Sequence, residues 1–161
     1  MKIKFEYATL LSIQELYDKD DYIEDVDYNT HYWLRSPTYL YNPEKTGTAY
    51  QGYVLTSQGS TLGQGVDNPY LEYVRPVLKL EKSYINNIKV GTKILIFNKS
   101  YTVLNDGLII ANFYINNNET CCFNQNKNDG NDYSKSFVKG IVDNWFNSNF
   151  QDEVEVEMKG E

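Results

Sequence analysis

Short runs in which apolar and polar residues alternate restrict the fold of this chain most strongly. Lys2–Leu11 alternates before it becomes apolar, and Lys93–Phe97, Tyr101–Leu104 and Leu108–Ile115 follow one another with turn residues between them. A period of two places successive side chains on opposite faces of a strand. The last three runs therefore predict a three-stranded antiparallel meander, and Glu153–Met158 predicts a further strand.

Aromatic segments predict more strands in the first half of the chain. Fifteen of the 161 residues are tyrosine, against seven phenylalanines and two tryptophans, and such rings favour strands and contact surfaces. Strands are predicted over Tyr32–Pro37, Tyr50–Ser57 and Glu72–Leu80, with Pro76 at a bulge or a sheet edge. The glycine-rich segment 59–65 lacks the flanking strand and helix of a phosphate-binding loop, so we expect a mobile loop there.

Two segments carry helix signals. Ser12 and Glu15 form the capping-box pattern of a short helix that extends to about Tyr17. A longer amphipathic helix is predicted to begin at Ser134. Its apolar stripe consists of Phe137, Val138, Ile141, Val142, Trp145, Phe146 and Phe150. We expect Trp145 and Phe146 of this stripe to share one core with Trp33, Leu34, Val74, Leu78, Ile94, Leu95 and Val103.

The segment Asn116–Asp132 is rich in asparagine and has few apolar residues, which predicts a long exposed loop. It contains the only two cysteines of the chain, Cys121 and Cys122. Adjacent cysteines cannot form a long-range disulfide framework. We therefore expect both thiols to be reduced and to lie in a strand.

Length and charge limit the class of protein. A chain of 161 residues fits a single domain. The net charge of −7 argues against a nucleic-acid partner, because phosphate binding needs clustered lysine and arginine. No stretch approaches the length of a membrane span, and Met1–Glu6 lacks a signal-peptide core. We expect no membrane partner and synthesis in a bacterial cytoplasm without a signal peptide.

The acidic run Asp18–Asp27 and the single histidine are the candidates for metal or catalytic chemistry. The run lacks the glycine and terminal glutamate of a calcium-binding loop, so a solvated loop is expected. His31 has no nucleophile elbow or zinc-ligand spacing near it in the sequence. We therefore predict no catalytic residue, no metal site and no cofactor.

Three ordered motifs carry a family resemblance. Tyr32–Pro37 reads Tyr-Trp-Leu-Arg-Ser-Pro, Tyr73–Leu80 reads Tyr-Val-Arg-Pro-Val-Leu-Lys-Leu, and Leu10–Glu15 reads Leu-Leu-Ser-Ile-Gln-Glu. Together they resemble a domain of unknown function found in bacteria and phages, which carries Trp-Leu-Arg-Ser-Pro-Gly followed by Gly-Val-Arg-Pro. Thr38 and Tyr73 stand where that family usually has glycine.

The order of the two halves differs from that family. Residues 1–83 resemble its C-terminal half, and residues 84–161 resemble its opening meander, asparagine-rich connection and helix. The resemblance implies an α+β fold of the C-type-lectin-like and formylglycine-generating-enzyme-like kind, circularly permuted, with a mixed sheet, one main amphipathic helix, a short second helix and long loops. The first and last strands of such folds lie side by side, so the link of residues 81–91 would join them.

A permutation has a consequence for the segments Lys2–Leu11 and Glu153–Met158. They would be consecutive in an unpermuted relative, so we expect them to lie close together in space. Two arrangements stay open. The halves form a closed monomer, or they pair between neighbouring chains as a swapped dimer or a fibre.

Arg35 and Arg75 lie close to prolines at predicted strand ends. A planar guanidinium can bind loop carbonyls or a carboxylate of its own chain, and it can also anchor a ligand. Both interpretations stay open, and both arginines are candidate binding residues.

The segment Tyr39–Gly65 is the predicted recognition surface. Tyrosine offers a large amphipathic contact area at low entropic cost, and neighbouring glycine and asparagine let a loop adapt to its partner. The candidate contacts are Tyr39, Tyr41, Tyr50 and Tyr53.

These observations predict non-covalent recognition or assembly in preference to catalysis. The leading hypothesis is a phage or prophage accessory protein, either a virion surface decoration or a host-interaction protein, whose partner is a protein or glycan surface. Self-association and incorporation in the virion are compatible with this function. The alternative is a small acidic intracellular inhibitor that presents Asp18–Asp27 to a basic host or defence protein. An enzyme of unknown type is the third hypothesis.

Overall fold

In the residues that the structure describes, the alternating runs form strands and two segments form α-helices, so the protein is an α+β structure. The computed structural model describes residues 1–27, 30–37, 51–55, 61–65, 72–104, 107–116, 118–126 and 130–158. Strands β1 to β12 are Lys2–Ile3, Phe5–Thr9, His31–Pro37, Gln51–Leu55, Thr61–Gly65, Glu72–Tyr73, Val77–Leu80, Lys93–Ile96, Lys99–Val103, Leu108–Ala111, Val154–Glu155 and Glu157–Met158. Helices α1 and α2 are Ile13–Lys19 and Phe137–Asn149, and short 3-10 helices span Asp20–Tyr22, Lys82–Asn87 and Tyr133–Lys135.

The predicted meander forms the centre of the larger sheet. This antiparallel sheet has the strand order β12, β8, β9, β10, β7 and β2. Strand β8 pairs with β9 and β9 pairs with β10, as the alternating runs predict. The first hairpin is tight, because Ile96 pairs with Lys99 and only Phe97 and Asn98 form the turn.

A second sheet has the order β5, β4, β3 and β6, and its β3–β6 pair is parallel. Residues 61–65 form its edge strand β5 and pair with β4 along their whole length. The expectation of a mobile loop is therefore wrong for these residues. Backbone hydrogen bonds to a neighbouring strand order them, and such pairing depends on tertiary context more than on composition.

The predicted strand Glu72–Leu80 is divided between the two sheets. Glu72 and Tyr73 belong to the second sheet, whereas Val77–Leu80 pairs with β10 and β2 in the larger one. Pro76 lies between the two strands and has no amide hydrogen to donate to a ladder, which explains the break. The chain therefore crosses from one sheet to the other at Arg75 and Pro76.

The strand segments near the two ends of the chain lie against each other. Strand β1 pairs with β11 in an antiparallel two-stranded sheet, in which Lys2 lies opposite Glu155. The Met1 ammonium donates a hydrogen bond of 2.8 Å to Glu155 Oε1. The predicted proximity of Lys2–Leu11 and Glu153–Met158 is thereby confirmed.

The two helices begin at serine caps. In α1, Ser12 Oγ accepts from the Glu15 amide at 3.1 Å and Glu15 Oε1 accepts from the Ser12 amide at 2.9 Å, as the capping box predicts. Helix α2 begins later than predicted, because its cap is Ser136 and not Ser134. Phe137 is consequently exposed and lies outside the packed stripe. No helix in the described ranges is long and apolar enough to span a bilayer.

The buried apolar side chains of the described residues form two clusters, where the sequence predicts one core. The larger cluster contains five of the predicted residues, Trp33, Val74, Leu78, Ile94 and Val103. Leu34 lies in the smaller cluster, because successive residues of a strand point to opposite faces. Leu95 is only partly buried for the same reason. Trp145 and Phe146 are partly buried and pack against the larger cluster.

The segment 116–132 is not the fully exposed loop that its composition suggests. Residues 121–124 are buried, and the Phe123 ring lies 5.5 Å from the Trp33 ring between centroids. Cys121 and Cys122 lie in this stretch without a disulfide bond, and the stretch is not a strand. The expectation of a strand is wrong because a few apolar anchors bury the stretch without strand pairing.

Replacement of Gly107 by alanine is expected to destabilise the protein by about 2–4 kcal/mol. Gly107 has a φ of +76°, and an added Cβ would lie 2.8 Å from Ile85 Cγ1. The left-handed backbone costs an alanine about 1–2 kcal/mol, and the clash adds to that. Gly130→Ala is the matched control, since its φ is +82° and nothing lies within 4 Å of the added Cβ. Equal losses of stability in urea unfolding would contradict the steric part of this prediction.

Candidate functional site

A pocket of about 490 Å³ opens between the β8–β9 hairpin, the segment after β10 and the end of α2. This volume is in the range of small-ligand sites. Segments far apart in the sequence form it, so no single motif encodes it. Six lining side chains are aromatic, and we call it the aromatic pocket: Phe97, Tyr101, Phe113, Tyr114, Trp145 and Phe150.

The floor of the aromatic pocket is buried. Ile96, Tyr101, Ile115 and Phe150 line it and are almost fully inaccessible to solvent. Phe150 directly follows α2, and its amide donates to the Phe146 carbonyl oxygen at 2.8 Å. The end of the helix therefore fixes the position of the Phe150 ring in the floor of the pocket.

Phe113 and Trp145 form a wall of edge-on rings. The Phe113 centroid lies 5.2 Å from Tyr101 and 6.4 Å from Trp145, and Trp145 lies 5.0 Å from Phe150. Rings prefer such tilted contacts, which hold each ring in a defined orientation. Trp145 is only partly buried because it lines this pocket.

Phe97 lies at the mouth of the pocket in a strained backbone conformation. Phe97 and Asn98 have φ values of 52° and 63°, the left-handed pair that a two-residue type I′ hairpin requires. Asparagine and glycine are usual at such positions, and a bulky residue there is held at a cost of about 1–3 kcal/mol. The side chain is 60% exposed and its ring lies 5.8 Å from Phe150. Strain kept for an exposed ring indicates a functional role.

Polar groups surround the rings. Lys99 and the amides of Asn116, Asn118 and Asn149 line the pocket and are exposed. Burial raises the pKa of Tyr101, so its hydroxyl stays protonated at every physiological pH. That hydroxyl makes no hydrogen bond within the described part of the chain. The pocket therefore offers one cation, three amides and one hydroxyl to a ligand.

Arg35 is placed in contacts within its own chain. Its Nη1 donates to Glu15 Oε1 at 2.5 Å and to the Leu10 carbonyl oxygen at 2.7 Å. Burial raises the pKa of Glu15, but the hydrogen bonds from Arg35 and Ser12 outweigh burial and lower it. Arg35 thus joins the start of α1 to β3, and a role in partner binding stays a prediction.

Arg75 is 1% exposed at the crossing between the sheets. Its Nε donates to the Ala111 carbonyl oxygen at 2.6 Å, and its Nη2 donates to Asn112 Oδ1 at 3.1 Å. The guanidinium also lies 5.2 Å from the centroid of the Tyr32 ring. The Arg75 guanidinium thus binds groups of its own chain, which is one of the two interpretations left open by the sequence. A contact between Arg75 and a ligand stays a prediction.

The four candidate tyrosines are not tested by the structure. Tyr39, Tyr41 and Tyr50 lie outside the described residues. Tyr53 lies in β4, of which only the backbone is described. The predicted recognition surface over Tyr39–Gly65 therefore stays a prediction.

The single histidine lies beside a buried carboxyl group. His31 pairs with Glu72 in the parallel β3–β6 register, and His31 Nδ1 is 3.9 Å from Glu72 Oε1, too far for a hydrogen bond. Glu72 is fully buried, and neither of its side-chain oxygens has a hydrogen-bond partner among the described residues. Burial raises the pKa of Glu72 to about 7. In the described ranges no three His, Cys, Asp or Glu side chains are arranged to hold a metal ion.

Cys121 lies next to this pair, since its amide donates to the Glu72 carbonyl oxygen at 2.9 Å. Burial, with smaller effects of Cys122 and Glu72, raises the pKa of the Cys121 thiol to about 12. The thiolate is the nucleophilic form, so this thiol is a poor nucleophile at neutral pH.

Alkylation of Cys121 is therefore expected to be more than about a hundredfold slower in the folded protein than in the unfolded chain at pH 8. A Cys122→Ser variant leaves Cys121 as the only thiol. Mass spectrometry after timed iodoacetamide treatment gives both rates. Similar rates in the two states would contradict the burial of the thiol.

The acidic run is exposed but is not simply a loop. Helix α1 continues to Lys19, and a 3-10 helix follows over Asp20–Tyr22. Glu24 Oε1 pairs with Lys93 Nζ at 2.7 Å, which ties the run to β8. The expectation of a solvated loop is therefore correct for the exposure of the acidic side chains that are described. It is wrong for the first residues of the run, which are helical.

Sequence reasoning missed the aromatic pocket. It assigned Trp145 and Phe150 to the helix stripe and gave Phe97 and Phe113 no role beyond strands. One local signal was present, because Phe97-Asn98 places an aromatic residue where the turn between two predicted strands favours glycine or asparagine.

Comparison of the sequence with models of protein families gives no match. Curated proteins and solved structures give no match either.

Proposed function

We propose that the protein is a non-catalytic recognition module whose binding site is the aromatic pocket. The observation that supports this most is the strained, exposed ring of Phe97 at the mouth of a pocket of about 490 Å³. Glycine would form this turn without backbone strain, so we assign the ring a purpose other than turn formation. A ligand held between Phe97 and Trp145 supplies that purpose.

The biological setting of the proposal is a phage or prophage accessory protein. It is made in a bacterial cytoplasm and acts as a virion surface decoration or a host-interaction protein, with a protein or glycan surface as its partner. The support is the family resemblance of the three motifs and the presence of a pocket suited to a projecting group of such a surface.

The proposal assigns no catalytic residue. His31 and Glu72 are 3.9 Å apart, and the neighbouring Cys121 thiol is protonated at neutral pH. A general base must reach the proton it removes, and a nucleophile must be ionised or activated. These groups satisfy neither requirement in the described geometry.

We also propose that the fold is a circularly permuted C-type-lectin-like domain. The pairing of β1 with β11 and the central position of the meander in the larger sheet support this proposal. A closed monomer is expected in light scattering at micromolar concentration. A stable dimer whose halves interlock would contradict the closed arrangement.

Binding to isolated bacterial envelopes tests the proposed function. Wild-type protein is expected to sediment with envelopes, and Trp145→Ala is expected to reduce the bound fraction about tenfold or more. Phe137→Ala is the control, because Phe137 is an exposed ring of the same helix that does not line the pocket.

Two further arms separate the other hypotheses. One arm is a variant with four serine substitutions, at Tyr39, Tyr41, Tyr50 and Tyr53. If this variant no longer sediments with envelopes while Trp145→Ala still does, the recognition surface is the predicted tyrosine segment and not the pocket. If binding disappears between about 0.15 M and about 1 M salt in the wild type, and Trp145→Ala leaves binding at about 0.15 M salt intact, the acidic run is the contact surface. Either result would overturn the assignment of the pocket.

Phe97→Gly is expected to separate stability from binding. Glycine adopts a positive φ without strain, so the melting temperature should stay the same or rise, although the contact with Phe150 is lost. Envelope binding should fall as far as it does in Trp145→Ala. A clear loss of stability with full binding would mean that Phe97 is a structural residue.

A further inference from the structure

Lys99 is the one charged residue that lines the aromatic pocket in the described part of the chain. Its Nζ lies 5.0 Å from the centroid of the Phe113 ring. Lys93 and Lys139 have carboxylate partners, Glu24 and Asp143, whereas Lys99 forms no ion pair among the described residues. In a chain with a net charge of −7, the pocket thus presents an uncompensated positive charge. A ligand that carries a negative group complements it.

The amides at the rim favour a ligand with several hydroxyl groups. Asn149 Nδ2 donates to the Trp145 carbonyl oxygen at 2.8 Å, and its Oδ1 has no partner among the described residues. The side chains of Asn116 and Asn118 are likewise unpaired in the described ranges. Each amide can donate and accept, and a hydroxyl group can do both in return.

The rings provide the apolar part of the site. Phe97 presents an exposed ring and Trp145 a partly exposed ring, at centroid distances of 5.8 Å and 5.0 Å from Phe150. A sugar ring has an apolar face of C–H groups that stacks on such rings and an edge of hydroxyls that bind amides. A simple aromatic acid would use the rings and Lys99 but leave the amides without partners.

We infer that the aromatic pocket binds an acidic saccharide, with its ring against Phe97 and Trp145, its hydroxyls on the asparagine amides and its carboxylate on Lys99. This inference rests on the proposed function and specifies its ligand. The ion pair forms at an exposed lysine beside the Phe113 ring, so it adds selectivity for an acidic ligand more than affinity.

A matched pair of ligands tests the inference. Methyl glucuronide and methyl glucoside differ only in a carboxylate that replaces a hydroxymethyl group. We expect the glucuronide to bind about threefold to fivefold more tightly in titrations followed by NMR. Benzoate, which has the carboxylate and no hydroxyls, should bind no better than the glucoside. Equal affinities of the two sugars, or tighter binding of benzoate, would overturn the inference.

Variants of Lys99 identify the group that recognises the carboxylate. Lys99→Met should remove the preference for the glucuronide, and Lys99→Arg should retain it. Lys89→Met is the control, because Lys89 is exposed and does not line the pocket. An unchanged preference in a folded Lys99→Met variant would overturn the role of Lys99.

The outcome for the ligand is distinguishable from the outcome for the function. If neither sugar binds while Trp145→Ala still abolishes envelope sedimentation, the acidic saccharide is wrong and the recognition site stands. If Trp145→Ala sediments like the wild type, the proposed function fails and the inference fails with it.

Discussion

Trp33→Ala is expected to reduce the free energy of unfolding by about 3–5 kcal/mol, enough to leave a domain of this size marginally stable. Trp33 is fully buried in the larger cluster. Its ring packs against Phe123, and its Nε1 donates to the Cys121 carbonyl oxygen at 2.8 Å. The indole therefore joins the second sheet to the buried stretch 121–124, and its loss leaves a cavity and an unsatisfied carbonyl.

Two variants separate these contributions in urea unfolding. Trp33→Phe keeps most of the ring contact but leaves the Cys121 carbonyl without its donor, which should cost about 1–3 kcal/mol. Trp145→Ala should cost less than Trp33→Ala, because Trp145 is only partly buried. Equal costs at the two tryptophans would contradict the placement of Trp145 at the pocket.

Glu72→Gln is expected to remove a pH dependence of stability that amounts to about 3 kcal/mol. Burial raises the pKa of Glu72 from 4.5 to about 7. Below about pH 4.5 the carboxyl is protonated in both states, so it imposes no penalty. As the pH rises towards 7, the unfolded chain releases this proton and the folded protein keeps it, so wild-type stability falls. Above about pH 7 the Glu72 carboxyl is ionised in both states and causes no further change in the free energy of unfolding.

For each variant, the measured quantity is the difference between its free energies of unfolding at pH 4 and pH 8. The difference is used because glutamine also places an amide in the buried site, and that effect is the same at both pH values. Glu6→Gln is the control, since Glu6 is exposed and the change in net charge is the same. His31 and Cys121 are the titratable neighbours of Glu72, and both are unchanged in these variants. Parallel pH profiles of Glu72→Gln and the wild type would contradict the raised pKa.

Local patterns predicted the elements whose signals are complete within a few residues. The capping box of Ser12 and Glu15 forms as expected, and the alternating runs from Lys93 to Ala111 give the meander. Most of the residues predicted to share a core also lie in the larger cluster or pack against it. These predictions succeed because a cap or a strand face depends on nearby residues.

The wrong predictions concern features that depend on tertiary contacts. The stretch 121–124 lies within a polar segment of the sequence, yet it is buried in the fold. Trp33, which is far away in the sequence, packs against Phe123 and donates a hydrogen bond to the Cys121 carbonyl oxygen. Leu34 was expected to share a core with Trp33, but it lies on the opposite face of β3 and packs in the smaller cluster with Leu11 and Leu16. No local pattern encodes such pairings.

The aromatic pocket illustrates the same limit for function. Its rings come from a hairpin turn, from the segment after β10 and from the end of α2, and only the fold brings Phe97, Phe113 and Trp145 together. Each of these residues is unremarkable in its own segment. The strained turn at Phe97 is the feature that distinguishes a site from ordinary packing, because packing alone would not favour a bulky residue with a positive φ.

Fluorine NMR of protein labelled with 5-fluorotryptophan tests the central claim most directly. The chain has two tryptophans, Trp145 at the pocket and Trp33 in the core, so each spectrum carries its own control. A Trp145→Phe variant assigns the two resonances. When solubilised envelope fragments are added, we expect the Trp145 resonance to shift or broaden and the Trp33 resonance to stay in place. Binding of the same fragments without any change at Trp145 would contradict the assignment of the aromatic pocket as the recognition site.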